Sequence, residues 1–432
     1  VNGLSWDWCI SRQIHFGIPF PVWYCKNCEE IILANKKDLP VDPTEDKPPV
    51  SKCPKCGSSE IIGESDVQST WATSSLTPTI TKELLKDSKV YNLIKDKPMT
   101  LRTQGQDIIS FWLFNTVFKS KLHYNLTPWE NALVTGWVLD PQGRKMSKSK
   151  GNVIQPWTVV DKYGADSLRY MSSLYKLGAN FPFSEKDILT GFKTVTKLYN
   201  ATKFSYIHLQ NYSPQEMPKK LEAVDIWLLD SLNKTIVNTE QALENYEFSK
   251  AISIINDFFW KDLCDNYLEI VKDRIYNPDK RGIDGQLSAK YTLYHAFNSL
   301  LKMYGIFMPF VTEELYQAYF IDFEKKPSIH LTAFPKEIKH KDLEAKERIE
   351  QINKASEVML KTISTVRNYK SNNKLSLNAE INRISIKTDQ DLREILEDLK
   401  ACTKTKDVII LSQKDKLENP DLLEEGLEIK VE

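Results

Sequence analysis

The chain has 432 residues with 58 basic and 58 acidic side chains, 41% hydrophobic and 27% charged residues, a composition that excludes fibrous and disordered classes. At about 150 residues per domain the length predicts two to four domains. No apolar run approaches the ~20 residues of a membrane-spanning helix, zero net charge confines any nucleic-acid contact to a local patch, and seven cysteines are too few for a disulfide scaffold and fit a reducing compartment.

The chain opens Val1-Asn2-Gly3-Leu4-Ser5-Trp6-Asp7-Trp8, without initiator Met or targeting pattern, and is expected to continue a longer protein. Residues 1 to about 190 mix short apolar runs with Trp, Pro and Gly, as α/β or zinc-ribbon structure does. His15-Phe16-Gly17-Ile18 lacks the second His of a nucleotide-binding His-x-Gly-His element and is set aside. Cys25-x-x-Cys28 and Cys53-x-x-Cys56, with 24 residues between them, can supply four thiolates to a tetrahedral Zn²⁺; with every position filled the metal is structural, not catalytic. The bland alternative is four buried cysteines. Cys9, Cys264 and Cys402 lie on apolar patterns and are expected to be inert core thiols.

Residues 99–105 read as a strand closing on Gly105, followed by a helix carrying Ile108, Ile109, Trp112, Leu113 and Val117. Glycine there lets a ligand approach the backbone and Asp107 can hold ribose hydroxyls, unless the pair is only a helix cap. Trp71 and Trp112 are core packing by default, or the walls of a small apolar pocket. A strand over 132–139 and the turn Asp140-Pro141-Gln142-Gly143 lead into Lys145-Met146-Ser147-Lys148-Ser149. Such a loop can place ammonium groups on a polyphosphate or be a solvated basic turn. Asp166 and Arg169, at i and i+3 on a helix from Ala165, are expected to form a surface ion pair.

Beyond Leu189 apolar residues recur at spacings of three and four, predicting long amphipathic helices over 225–244, 248–275 and 287–320, and hence a helical bundle. The linkers 277–282 and 325–327 carry the Pro and Gly that stop helices. Another helix is predicted over 341–369. A small α+β tail follows, with strands at 381–386, 408–411 and 427–431 and a helix over 389–402.

Together these strings resemble the class I aminoacyl-tRNA synthetases, in the valyl group of the archaeal-like branch. The resemblance is carried by Trp8-Cys9-Ile10-Ser11-Arg12-Gln13, the cysteine knuckles, Thr70-Trp71-Ala72-Thr73-Ser74-Ser75-Leu76, Gln104-Gly105-Gln106-Asp107, the loop Lys145 to Ser149, and downstream Phe258-Phe259-Trp260 and Pro309-Phe310-Val311-Thr312-Glu313-Glu314-Leu315. Gln68 and Ser69 stand where that group usually shows Met and Asp. The resemblance implies a multidomain α/β plus all-α chain: the second half of a Rossmann-like catalytic domain over 1–155 with a zinc ribbon at about 21–62, a connecting helical region over 156–215, an anticodon-binding bundle over 216–335, and a helix plus α+β domain over 336–432. It implies ATP with Mg²⁺, valine and valine tRNA as substrates and partners, structural Zn²⁺ on Cys25, Cys28, Cys53 and Cys56, and no DNA or membrane partner. Lys148 and Lys145 would act on the ATP phosphates, Met146, Gly105 and Asp107 would contact ATP, and Trp71 and Trp112 would wall the valine side chain. The activity implied is valine-tRNA ligation by the complete enzyme in the cytoplasm, as a monomer. The alternatives are an isoleucyl relative, disfavoured by Thr73-Ser74-Ser75, or a noncatalytic tRNA-binding chain. The His-x-Gly-His half of the nucleotide fold and the editing domain are not in the 432 residues, so the chain by itself is expected to be inactive.

Overall fold

The computed structural model describes residues 8–210, 212–213, 218–339 and 344–432. The readings that begin at Val1 and at Lys341 fall on residues outside these. The chain divides into two compact units, one comprising residues up to Val138 with Leu177–Phe181, the other Leu139–Lys176 with Pro182–Glu432. No helix among the described residues is long and apolar enough to cross a membrane.

The first unit contains a three-stranded antiparallel sheet of β1 (Val22–Cys25), β2 (Ile31–Leu33) and β3 (Ile61–Gly63), with β1 central. Trp23 pairs with Ile32 and with Gly63, and Trp23 and Ile32 are both buried. Gly63 is required here, because a Cβ would lie 1.9 Å from the Pro43 carbonyl oxygen. After the short helix α1 (Thr70–Ser74), strand β4 (Met99–Gly105) runs parallel to β5 (Trp129–Thr135). A parallel pair needs a crossover, supplied by a π-helical turn, Ile109–Leu113, that passes into α2 (Phe114–Tyr124). The strand expected over 132–139 is therefore corrected. It starts at Trp129, breaks after Thr135 and resumes briefly at Val138–Leu139; at the break the Gly136 backbone meets that of Ala179 so closely that a Cβ would lie 2.1 Å from its carbonyl oxygen.

The second unit is built on helices α3 (Pro156–Tyr163), α4 (Ala165–Ser173) and α5 (Glu185–Leu209), the last capped by Ser184, whose hydroxyl accepts the Asp187 N–H. Then come α6 (Ala223–Glu244) and α7 (Phe248–Asp257), which continues through a π-helical stretch over Phe258–Tyr267. The helix expected over 287–320 is two helices, α8 (Ile283–Tyr304) and α9 (Pro309–Tyr319). Gly305 and Pro309 divide them, since Pro cannot donate into a continuing helix but fits its first turn. These helices close over a core of Leu228, Leu229, Ile252, Phe259, Phe297 and Leu300, all fully buried.

Helix α10 (Lys346–Asn372) leads to the tail, where β6 (Ile381–Lys387), helix α11 (Leu396–Thr403), β7 (Thr405–Leu411), β8 (Leu422–Glu424) and β9 (Leu427–Val431) form a sheet of order β7-β6-β9-β8. β6 and β7 are parallel around α11, and β6–β9 and β8–β9 are antiparallel. The helix expected over 389–402 begins only at Leu396. Thr388 and Asp391 capture the backbone N–H groups of Gln390 and Arg393 two residues ahead, a local bond that competes with helix formation.

Candidate functional site

The four cysteines are assembled by two knuckles of the same geometry. The Glu29 N–H donates to the Cys25 carbonyl and the Gly57 N–H to that of Cys53, each at 2.9 Å, while Glu29 and Gly57 take φ of 58° and 75°. Glycine meets that requirement without strain at the second knuckle. The Sγ atoms of Cys25 and Cys56 lie 3.5 Å apart and those of Cys28 and Cys53 3.6 Å, and all four sit within 4.8 Å of one another. A tetrahedral ion with Zn–S of about 2.3 Å asks for sulfurs about 3.8 Å apart, so the donor set fits Zn²⁺. Burial raises the Cys25 thiol, but the N–H groups of Asn27 and Cys28 and the neighbouring thiols bring it down to about 7. Metal analysis of the purified chain should give about one Zn²⁺ per molecule. Unchanged occupancy after Cys28→Ser and Cys56→Ser together would remove these residues as the ligands. Cys9 is not the core thiol expected. It is exposed, and its sulfur lies 3.2 Å from the Ser11 hydroxyl.

At the end of β4 the structure brings together Gly105, Asp107, Trp112 and the helix that carries Trp71. A Cβ on Gly105 would sit 2.7 Å from Asp107 Oδ1, so glycine permits the close turn into the π-helical segment. Trp112 Nε1 donates to the Ser74 carbonyl at 3.2 Å and Lys119 Nζ to that of Ala72 at 2.5 Å. Both acceptors are carbonyls that a short helix leaves free at its C-terminus, so the π-helical turn and α2 together hold α1 and Trp71, which is 37% exposed. Sequence reasoning missed Arg102, whose guanidinium lies 3.2 Å from the Trp112 ring centroid and 5.1 Å from that of Trp129. The aromatic faces attract the cation, while burial lowers its pKa to about 10. The alternation along β4, which puts Arg102 and Gln104 on one buried face, was the available signal.

The lysine loop belongs to the second unit and hangs on a carboxylate that spacing alone did not single out. Asp140, 1% exposed, accepts the N–H groups of Gln142 and Arg144 at 3.1 and 2.8 Å, the Arg144 Nε at 2.8 Å and the Asn152 amide at 2.9 Å. Asn152 in turn donates to the Lys145 carbonyl at 3.3 Å and accepts the Ser147 N–H at 3.0 Å. Gly143 and Gly151, at φ of 77° and 64°, turn the chain at either end. Lys145 and Lys148 are exposed, while Met146 turns back so that its sulfur meets the Ile154 N–H at 3.4 Å. The arrangement holds the backbone of the loop and leaves Lys148 facing solvent, where an ammonium can meet a polyphosphate.

Burial raises the Asp140 carboxyl, but the bonds from Asn152 and Arg144 overcome it and hold its pKa at about 2, below its ordinary value of 3.8. With the folded pKa depressed, the stabilisation is complete above pH ~4 and is lost as pH falls toward 2. Amide exchange across residues 142–152, taken relative to the intrinsic rate at each pH, should therefore quicken over that interval in the native chain. In Asp140→Asn it should be fast already at neutral pH. An unchanged profile in the variant would contradict the assignment.

The expected surface ion pair of Asp166 with Arg169 is corrected. Asp166 is buried and accepts the N–H groups of Phe310 and Val311 at 3.3 and 2.6 Å, capping the first turn of α9. Arg169 donates to the carbonyls of Phe307 and Ile306 at 3.0 and 3.2 Å. The anion meets a helix N-terminus and the cation meets carbonyls beyond α8, as the helix dipole favours. Each group is better satisfied by backbone than by the other.

Residues 5–183 match the model of tRNA synthetases class I (I, L, M and V), and residues 225–386 match that of the anticodon-binding domain of tRNA ligase. The chain is 40% identical over 422 residues to the valine–tRNA ligase of Thermoplasma volcanium, covering 97% of this chain and 51% of that protein. It is 41% identical over 391 residues to that of Haloarcula marismortui, covering 89% and 41%, and 39% identical over 435 residues to that of Rickettsia canadensis, covering 96% and 51%. The chain thus spans about half the length of the curated relatives it matches. Among solved structures, the LeuRS of Agrobacterium radiobacter, in its ternary complex with tRNA and LeuAMS, shares the fold with a TM-score of 0.57 at 20% identity over 78% of this chain and 43% of that one. The loop Lys145 to Ser149 lies inside the first matched region, and the bundle helices from Asp225 of α6 through α9 lie inside the second, so the chain carries a class I tRNA synthetase region followed by an anticodon-binding region.

Proposed function

We propose that this chain forms part of a valine-tRNA ligase, which joins valine to ATP as valyl-adenylate and passes the acyl group to valine tRNA. The observation that carries the reading is the Lys145-Met146-Ser147-Lys148-Ser149 loop, held by Asp140 and Asn152, within a chain 40% identical to a valine–tRNA ligase over almost its whole length. In the first step a valine carboxylate oxygen bonds to the α-phosphorus while the bond to the β-phosphate oxygen breaks and pyrophosphate leaves. In the second a terminal adenosine hydroxyl of the tRNA takes the acyl group and AMP leaves. No protein nucleophile is required, and the chain's part is positioning and charge stabilisation.

Lys148, assisted by Lys145, neutralises charge on the departing pyrophosphate, and Met146 contacts ATP beside it. Gly105 and Asp107 receive the adenosine moiety, Gly105 by allowing close approach and Asp107 through ribose hydroxyls. Trp71 and Trp112 wall the valine side chain. Mg²⁺, bound with ATP, would neutralise further phosphate charge. Zn²⁺ on the four cysteines has a structural part, because four thiolates leave it no open position. Helices α6 to α9 form the anticodon-binding bundle, with the connecting region over 156–215 before it and the α+β domain over 336–432 after it.

The test joins this chain to the part of the Thermoplasma volcanium relative that lies outside the matched region. The chimaera should catalyse valine-dependent ATP–pyrophosphate exchange and favour valine over isoleucine, since an apolar pocket discriminates one methylene by about 10–200-fold. Equal use of isoleucine would point to the isoleucyl reading. Tight tRNA binding without any exchange would point to a noncatalytic chain.

A further inference from the structure

A cavity of about 520 Å³ opens in the second unit, lined by the C-terminal continuation of the α7 helical run through Tyr276, by α10, and by the end of α11. That volume lies within the range of small-molecule sites, and none of the residues proposed above for valine, ATP or zinc lines it. Its charges are unevenly matched. Glu269 is paired with Lys272 at 2.6 Å, and Asp273 with Arg281 at 2.8 Å.

Three other cations of the lining are held by neutral groups or stand apart. Arg367 donates to the Asp265 carbonyl at 2.7 Å and to the Asn266 amide oxygen at 3.3 Å. Lys370, only 2% exposed, donates to the carbonyls of Leu377 and Thr403, each at 2.9 Å. Lys404 closes α11 in a left-handed conformation. Carbonyl dipoles satisfy hydrogen bonds but not net charge, so a buried ammonium held this way still favours an anion. These bonds use two of the three donors of Lys370 and two of the five of Arg367. Among the described residues that line the cavity, Asp265 is the one carboxylate without an ion-pair partner, against these three cations. Ile363, Val366, Leu377 and Cys402 contribute apolar surface to the same lining.

We infer that this cavity binds an organic phosphate, with the phosphate on Arg367 and Lys370 and the attached apolar group against Ile363 and Val366. The volume exceeds what a bare phosphate needs, and the mixed lining suits a free nucleotide. The inference does not depend on the proposed ligase activity.

Cys402 lines the cavity and is partly exposed, whereas Cys9 is an exposed thiol in the other unit. Alkylation of Cys402 relative to Cys9, followed by peptide mass spectrometry on the 432-residue chain, therefore reports occupancy. Saturating adenosine monophosphate should slow Cys402 labelling roughly tenfold, equivalent to a site at least nine-tenths filled, with tRNA run as a separate arm. The protection should disappear in Arg367→Gln, a partly exposed position whose replacement leaves Lys370 in its bonds. Protection by adenosine monophosphate assigns a free nucleotide. Protection by tRNA alone, protection by neither, protection that persists in Arg367→Gln, or equal protection by inorganic phosphate would overturn the inference.

Discussion

Lys148→Ala, placed in the chimaera with the Thermoplasma volcanium relative, should lower valine-dependent ATP–pyrophosphate exchange by about 10²–10³-fold, the cost of removing one preorganised charge-stabilising group from a transition state. Lys148 is exposed and its loop is held through Asp140, Asn152 and backbone groups rather than through its own ammonium. Folding should therefore be unaffected, and the loss should appear in kcat more than in the KM for valine. Retention of full exchange would take Lys148 out of the phosphate site. In the 432-residue chain by itself exchange should be near background. Among the described residues its β4–β5 sheet has two parallel strands, whereas nucleotide sites of this kind are built where two half-sheets diverge. Binding of valine tRNA at low salt should persist, because α6 to α9 are all present. Exchange by the isolated chain at the rate of a complete enzyme would contradict this, as would absence of tRNA binding.

Arg274→Met should destabilise the second unit by about 3–5 kcal/mol, the cost of leaving a buried charge without its partner. Arg274 and Asp225 are 1% and 0% exposed and form a two-pronged pair at 2.6 and 3.0 Å. Asp225 also accepts the Tyr267 hydroxyl at 2.6 Å and the Ser288 hydroxyl. The Arg274 Nε lies 3.2 Å from Asp398 on α11, which Arg281 also contacts at 2.6 Å. One guanidinium on the continuation of the α7 run thus joins α6 and the tail helix α11, and the two carboxylates strengthen its hold on its proton although burial opposes this. Urea unfolding followed by far-ultraviolet circular dichroism should show the shift. Arg274→Met with Asp225→Leu should recover part of it, because removing both charges leaves neither stranded. A change in the single variant of less than about 0.5 kcal/mol, the size expected at an ordinary surface position, would show the pair to be dispensable.

What the sequence by itself determined is the chemistry written into short spacings and periods. The two cysteine pairs announced a four-thiolate cluster, because each knuckle is closed by bonds within five residues, from Glu29 to Cys25 and from Gly57 to Cys53. Apolar spacing of three and four predicted the bundle, since a helix must bury one continuous stripe. Alternation predicted the tail strands β6, β7 and β9. The string from Lys145 to Ser149 was legible letter by letter and carried the resemblance to the class I synthetases.

Only the tertiary structure decided what those residues lean on. Asp166 and Arg169 looked like each other's partners at i and i+3. Their actual partners lie 137 to 145 residues away in the chain, and backbone groups at the ends of two other helices outcompeted a solvent-exposed pair. Asp140 read as a turn residue until Asn152, twelve positions on, was seen to share it. Arg102 gave no signal beyond its place on an alternating strand, because a cation stacks on whichever aromatic rings the crossover helix and the neighbouring strand bring over it. Cys9 followed an apolar pattern yet remained exposed. Periodicity reports which face a residue occupies, while burial and charge compensation depend on what the rest of the chain packs against that face.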